Sequence, residues 1–276
     1  AAQRSRFYLA IVHSELREGR YQIAAATRLA AAQALSAALQ DGEPAGVTYA
    51  RFVDGMVALF DRRLGDAEGR LVEVIRDTEQ TGDPVLRLRA LTYRMVARRF
   101  LGDLPEVRAL AEEVLTLARR VGMDDYVGAA LACQGWVAWC EGDYACAAAE
   151  TRRALEQWAA LAVKYAYPLS WLARFVELAR LREAGDVAGA AGHAAALLTP
   201  PQQRLPRPLE IALEALCDGA TGGTHHFAGR PATSWADFAR AIMTTAPLPC
   251  QIRDIPSTDY PVPAARPLNS CLDCAS

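Results

Sequence analysis

Between Val107 and Val121 the apolar residues are Val107, Leu110, Ala111, Val114, Leu117, Ala118 and Val121. This is the i, i+3, i+4, i+7 series of one helix face, with Arg108, Glu112, Glu113, Arg119 and Arg120 on the remainder. Nothing before residue 200 alternates with a period of two over a useful length, so strands are not expected there. Turns of one form interrupt the helical stretches: Gly19-Arg20-Tyr21, Gly65-Asp66-Ala67, Gly102-Asp103-Leu104, Gly142-Asp143-Tyr144 and Gly185-Asp186-Val187. Glycine suits the left-handed residue that closes a helix, and an adjacent aspartate can cap the next one. The intervals between these glycines are 46, 37, 40 and 43 residues. Five residues after the glycine stand Ala24, Val107, Ala147 and Ala190, and twelve after it Ala31, Val114, Ala154 and Leu197. The repeat at Gly65 departs, with Arg70 and Asp77 at those places and an apolar face (Ala67, Leu71, Val74, Ile75) out of phase by about a residue. A second class of turn, Asp41-Gly42-Glu43-Pro44, Gly82-Asp83-Pro84 and Gly122-Met123-Asp124-Asp125, joins one repeat to the next. Asp83-Pro84 places a capping residue before a proline in the first helical turn.

The stretch Gly142-Asp-Tyr-Ala-Cys-Ala-Ala-Ala-Glu-Thr-Arg-Arg-Ala-Leu155 resembles the second half of a tetratricopeptide motif. The longer repeats are similar to the helical regions of large bacterial ATP-dependent regulators, including LuxR-type ones. The nucleotide-binding module and the helix-turn-helix of those regulators are not seen in this sequence. The expected fold is mainly α: residues 1–208 form a right-handed superhelical stack of about five antiparallel helix pairs, and 209–276 a small, partly irregular α+β tail. Such a stack is an interaction surface, which implies a protein or peptide partner.

Thr199-Pro200-Pro201 and Arg204-Leu-Pro206-Arg207-Pro208 break the helical pattern. Residues 209–217 read as one more short helix. Thr224–Ala228 and Cys250–Ile255 are strand candidates, and Ser234 can cap a helix from Trp235 to about Thr245. From about residue 212 onward the chain resembles the C-terminal part of dTDP-4-dehydrorhamnose reductase. The matching residues are Gly223-Thr-His-His-Phe-Ala-Gly229, Ser234-Trp-Ala-Asp-Phe-Ala239, Tyr260-Pro-Val-Pro263 and Arg266-Pro-Leu-Asn-Ser270, then Leu272-Asp273. That family is an extended short-chain dehydrogenase that reduces a 4-keto nucleotide sugar with NADPH or NADH, the last step to dTDP-L-rhamnose. The resemblance implies that this piece packs against a Rossmann domain, with Arg266 and Asn269 near the sugar-nucleotide pocket. Cys271 stands where the family more often has a basic residue.

The reductase chemistry is not carried by the rest of the sequence. A dinucleotide site needs a Gly-rich turn between strand and helix, and no GxGxxG occurs. The family's tyrosine is followed four residues on by a lysine. The only lysine here is Lys164, and position 160 is Ala160. No catalytic residue is therefore assigned. No cofactor is expected to bind this chain, and NADPH or NADH enters only if a Rossmann domain is supplied. A nucleotide sugar is not an expected ligand. The chain reads as a junction of two unrelated pieces, whether by natural fusion, recombined gene or assembly error, and as starting inside a longer reading frame.

Composition adds limits. The 276 residues carry a net charge of −2, which gives no general attraction to nucleic acid or an anionic membrane. No apolar run approaches the roughly 20 residues of a membrane span. The odd number of cysteines, seven, without a secretion signal favours reduced thiols in a cytoplasm. Cys133, Cys140 and Cys146 read as buried small hydrophobes. Cys271-Leu-Asp-Cys274, with His225, His226 and Cys217, has metal-ligand spacing, but the family matched there needs no metal, and none is assigned. Trp158, Lys164, Tyr165, Tyr167 and Trp171 cluster around a helix connection. They either pack one repeat on the next or form an aromatic patch that holds a peptide. The pairs Arg62-Arg63 and Arg98-Arg99 are expected on solvated faces near helix ends, and His13 and His193 in structural positions.

Overall fold

The computed structural model describes residues 1–161, 169–200, 202–217 and, further on, Ser234, Ala236, Asp237, Ala239, Arg240 and Arg253. Among the described residues there are eleven helices: α1 (Ala2–Gly19), α2 (Ala25–Asp41), α3 (Pro44–Phe60), α4 (Leu64–Thr81), α5 (Pro84–Leu101), α6 (Leu104–Val121), α7 (Asp124–Cys140), α8 (Tyr144–Ala159), α9 (Trp171–Glu183), α10 (Val187–Leu198) and α11 (Arg207–Cys217). The first ten form five antiparallel pairs, each packed on the next. The expected stack of helix pairs is thus present.

The turns follow the expected chemistry where one pair meets the next. Gly42, Gly82 and Gly122 take the left-handed conformation, and the carboxylates of Glu43 and Asp83 accept the first free N–H groups of α3 and α5. Pro44 and Pro84 occupy the first helical position, where no N–H is required.

Within pairs, two of the five expected glycine anchors are displaced. Gly65 lies inside α4 and Gly19 ends α1 without adopting a positive φ. The left-handed residue between α3 and α4 is Arg62, at φ 63°. The same closing bond recurs at four turns: Arg63 N–H to Ala58 O, Asp103 to Arg98, Asp143 to Ala138 and Asp186 to Leu181, at 2.8–3.1 Å. Counted from Arg62, the repeat that looked out of phase falls into register. The buried faces are then Thr27/Ala31/Ala34, Ala67/Leu71/Val74, Val107/Ala111/Val114, Ala147/Thr151/Ala154 and Ala190/Ala194/Leu197. Their first members are 40, 40, 40 and 43 residues apart. Gly102 sits at φ 74°, where a Cβ is strained, so Gly102→Ala is expected to lower the unfolding free energy by about 1 kcal/mol, read from the urea midpoint.

Odd-numbered helices touch the next odd-numbered helix throughout α1, α3, α5, α7 and α9, whereas no even-numbered helix among those described touches another. The crowded layer is the inner side of the curve, and α3, α5 and α7 are accordingly buried on more than one face. The outer helices bury a single stripe.

The chain divides into two compact units, 1–220 and 221–276. Helix α11, predicted from sequence, belongs to the first and packs on α10. Its Glu210 is buried and held by Arg204 at 2.9 Å. In the second unit Ser234 Oγ accepts the Asp237 N–H at 3.0 Å, the expected helix cap. The two strand candidates lie outside the described residues.

Candidate functional site: the interior groove

The inner helices end on a column of aromatic side chains. Tyr21, in the α1–α2 turn, meets the Phe60 ring edge-on with centroids 5.1 Å apart. Trp171, the first residue of α9, donates its indole N–H to the Tyr21 hydroxyl at 3.0 Å. Phe100, at the end of α5, stacks on Trp171 with centroids 5.7 Å apart and planes 6° from parallel. The Arg62 guanidinium lies 3.9 Å from the Phe100 centroid. These residues, with Phe175, Leu205, Pro206 and Leu209, line a cavity of about 260 Å³. The stack therefore curls far enough for its first pair to meet its fifth.

Arg99 braces the column from behind. It is buried, donates to the Leu172 carbonyl at 2.8 Å and lies over the Trp136 and Trp171 rings. Burial draws its pKa down from the usual arginine value. This corrects the expected solvated face for the Arg98-Arg99 pair: only Arg98 faces outward, bonded to Glu68 and Asp103. The reason is that α5 is an inner helix, so its last turn points into the curve. The Arg62-Arg63 pair is exposed at the end of α3 as expected, and Arg62 itself supplies the left-handed residue of the turn.

Beside the column runs a polar seam. Arg20 donates to the Tyr93 hydroxyl at 3.1 Å, and Tyr49 is bonded to His13 Nε2 at 3.0 Å. The Arg89 guanidinium lies 4.8 Å from the Phe52 ring centroid. Neither Arg20 nor Arg89 makes an ion pair among the described residues, and Arg20 Nε is buried without a partner. Other arginines of the stack are held by carboxylates, Arg70 by Asp54, Arg94 by Glu68, Arg108 by Glu141 and Arg153 by Glu150. The seam thus offers hydrogen-bond donors that carboxylates have not already taken.

Burial, then the charges of Arg89, Arg20 and Arg17, hold the His13 pKa below 6.5. Burial, then Arg174, does the same for His193, whose Nδ1 has no partner among the described residues. A base with a folded pKa below its unfolded one binds fewer protons in the folded state. Stability from these two groups is therefore full above pH 6.5 and lost as the pH falls below it. The melting temperature is expected to drop between pH 7 and 5 by more in the wild type than in a His13→Gln/His193→Gln variant. Equal slopes would count against this.

The predicted aromatic patch is only partly visible. Trp171 is buried in the column rather than exposed. Trp158 packs on the start of α7, donating to the Asp125 carbonyl at 2.9 Å. Lys164, Tyr165, Tyr167, Arg266 and Asn269, and the Cys271–Cys274 and His225–His226 positions, lie outside the described residues. Among the described residues no group of three or more His, Cys, Asp or Glu is placed to hold a metal ion. Cys133 is buried as expected, beside Arg99, but Cys140 and Cys146 are exposed, because they sit at the open ends of α7 and α8. Sequence reading missed Tyr21, Phe60 and Phe100. The signal was available: Phe60 and Phe100 stand 40 residues apart, at the ends of successive inner helices.

Residues 206–276 match the family model described as the RmlD substrate binding domain. Over 57 residues the chain is 44% identical to a dTDP-4-dehydrorhamnose reductase of Aggregatibacter actinomycetemcomitans, a match covering 18% of this chain and 19% of that protein. The chain thus spans about a fifth of the length of that curated relative. The matched stretch supports the reductase resemblance of the tail and begins at Pro206, inside the first compact unit, so that α11 is shared between the match and the stack. No helix among the described residues is long and apolar enough to cross a membrane.

Proposed function

We propose that the repeat stack is a non-catalytic scaffold that binds a protein or peptide partner in its interior groove. The observation that carries this reading is the seam of Arg20, Arg89 and tyrosine hydroxyls beside an aromatic cavity, donors that suit the carbonyls of an extended chain. The repeat architecture further favours descent from the helical region of a large ATP-dependent regulator of the LuxR type. On this reading the chain binds no cofactor, nucleic acid or membrane and acts in the cytoplasm. A peptide array probed with the purified protein is expected to yield binders in the micromolar range, weakened by Arg20→Ala or Arg89→Ala. An array with no binder, for a folded helical protein, counts against it.

A second reading is reductase activity, favoured by the match over residues 206–276. By resemblance Arg266 and Asn269 would then touch a nucleotide sugar. Against it stands the sequence, with neither a GxGxxG turn nor a Tyr-x-x-x-Lys pair. NADPH oxidation in the presence of dTDP-4-keto-6-deoxy sugar is expected to stay at the background rate, and turnover would reverse the order of the two readings.

A further inference from the structure

The segment between α10 and α11 behaves like a ligand of the stack. Gln22 donates its side-chain amide to the Leu205 carbonyl at 2.6 Å. Gln203 donates to the carbonyls of Leu16 and Arg17, at 3.1 and 2.9 Å, at the end of α1. Gln202 accepts from Ser170 at 3.1 Å, just before α9. Leu205 is buried in the wall of the aromatic cavity. This non-helical stretch therefore bridges the first and fifth pairs with one apolar anchor and main-chain or amide hydrogen bonds, the means by which an extended peptide is held. Its fit is incomplete. Among the described residues Gln203 Oε1 and Arg20 Nε are both buried with no partner. A leftover acceptor and donor of this kind carry a desolvation cost that a better ligand removes.

We propose that Gln202–Pro206 is a built-in ligand that occupies the recognition groove, and that the partner is an extended peptide presenting a comparable Gln-x-Leu-Pro segment. This rests on the scaffold reading above. Tethering gives the internal segment an effective concentration of about 1 mM, so a free peptide must outcompete it.

The test uses the full chain and a fluorescein-labelled peptide with the sequence of residues 199–208. In Gln203→Ala/Leu205→Ser the internal segment is weakened while the cavity residues contributed by the helix pairs, among them Tyr21, Phe60, Phe100 and Trp171, are unchanged. Fluorescence anisotropy is expected to show the peptide binding this variant about ten-fold more tightly than the wild type. Adding Gln22→Ala, on the groove side, is expected to reverse most of that gain. Should the first variant lose its helical circular dichroism, Gln202→Ala/Gln203→Ala, which leaves Leu205 in place, decides the matter. A folded variant that binds the peptide no better than wild type overturns the proposal and makes the segment a structural strap. If array peptides bind such a variant but the labelled peptide does not, the scaffold reading survives and the built-in ligand fails. If nothing binds any form, both fail.

Discussion

Replacing Trp171 by alanine is expected to cost about 4 kcal/mol, the middle of the range for a buried large aromatic, and to lower the melting temperature by about 10 °C. The side chain is 7% exposed. It stacks on Phe100, meets Phe175 edge-on and carries the hydrogen bond to Tyr21, a residue 150 positions earlier. Removing it leaves a cavity next to one of about 260 Å³ already present, and strips a buried tyrosine hydroxyl of its donor. The damage should also be directional. Trp171 joins the first pair to the fifth, so amides around Tyr21 should exchange faster while α6 and α7 stay protected. Trp158→Ala is the comparison, since that indole is only partly buried and bonds the neighbouring helix α7. A midpoint loss for Trp171→Ala no greater than for Trp158→Ala would sink the idea of a closing column.

Gly135→Val should be the next most damaging change, at about 3 kcal/mol from overpacking. A Cβ on Gly135 would lie 2.8 Å from Thr151 Cγ2 and 3.2 Å from the Ala147 carbonyl oxygen. Thr151 has little room to yield. Its hydroxyl bonds the Ala147 carbonyl at 2.7 Å and also the buried Glu177 carboxylate, which Arg180 holds at 2.7 Å. The two helices must therefore separate, and α9 is tied to the same point. Gly69→Ala should go the other way. That glycine is exposed inside α4 with nothing near its would-be Cβ, so the substitution is expected to add about 1 kcal/mol through helix propensity. Urea unfolding of both variants checks the opposite signs, and a stabilised Gly135→Val protein would refute the close approach of α7 and α8.

Much of the stack was legible in the amino-acid sequence. Glycine after an apolar stripe located Gly42, Gly82 and Gly122, and at the first two a capping carboxylate and proline marked the next helix as well, because φ, capping and side-chain period are local properties of a few residues. The stripe of α6, predicted as Val107, Leu110, Ala111, Val114, Leu117, Ala118 and Val121, is buried at all but Val121, which packs partly covered against the core. The same reliance on glycine misplaced two anchors. A left-handed arginine costs only about 1–2 kcal/mol, which neighbouring packing can offset, so Arg62 carries a turn that composition attributes to Gly65. Over the first four pairs the 40-residue period belongs to the buried positions rather than to the glycines. The groove depended on tertiary structure altogether. Whether Tyr21 meets Trp171, whether Arg99 faces inward, and whether Gln203 reaches the end of α1 are set by small rotations accumulated over five helix pairs. Local sequence determines each pair; only their summed curvature decides which distant residues close the interior.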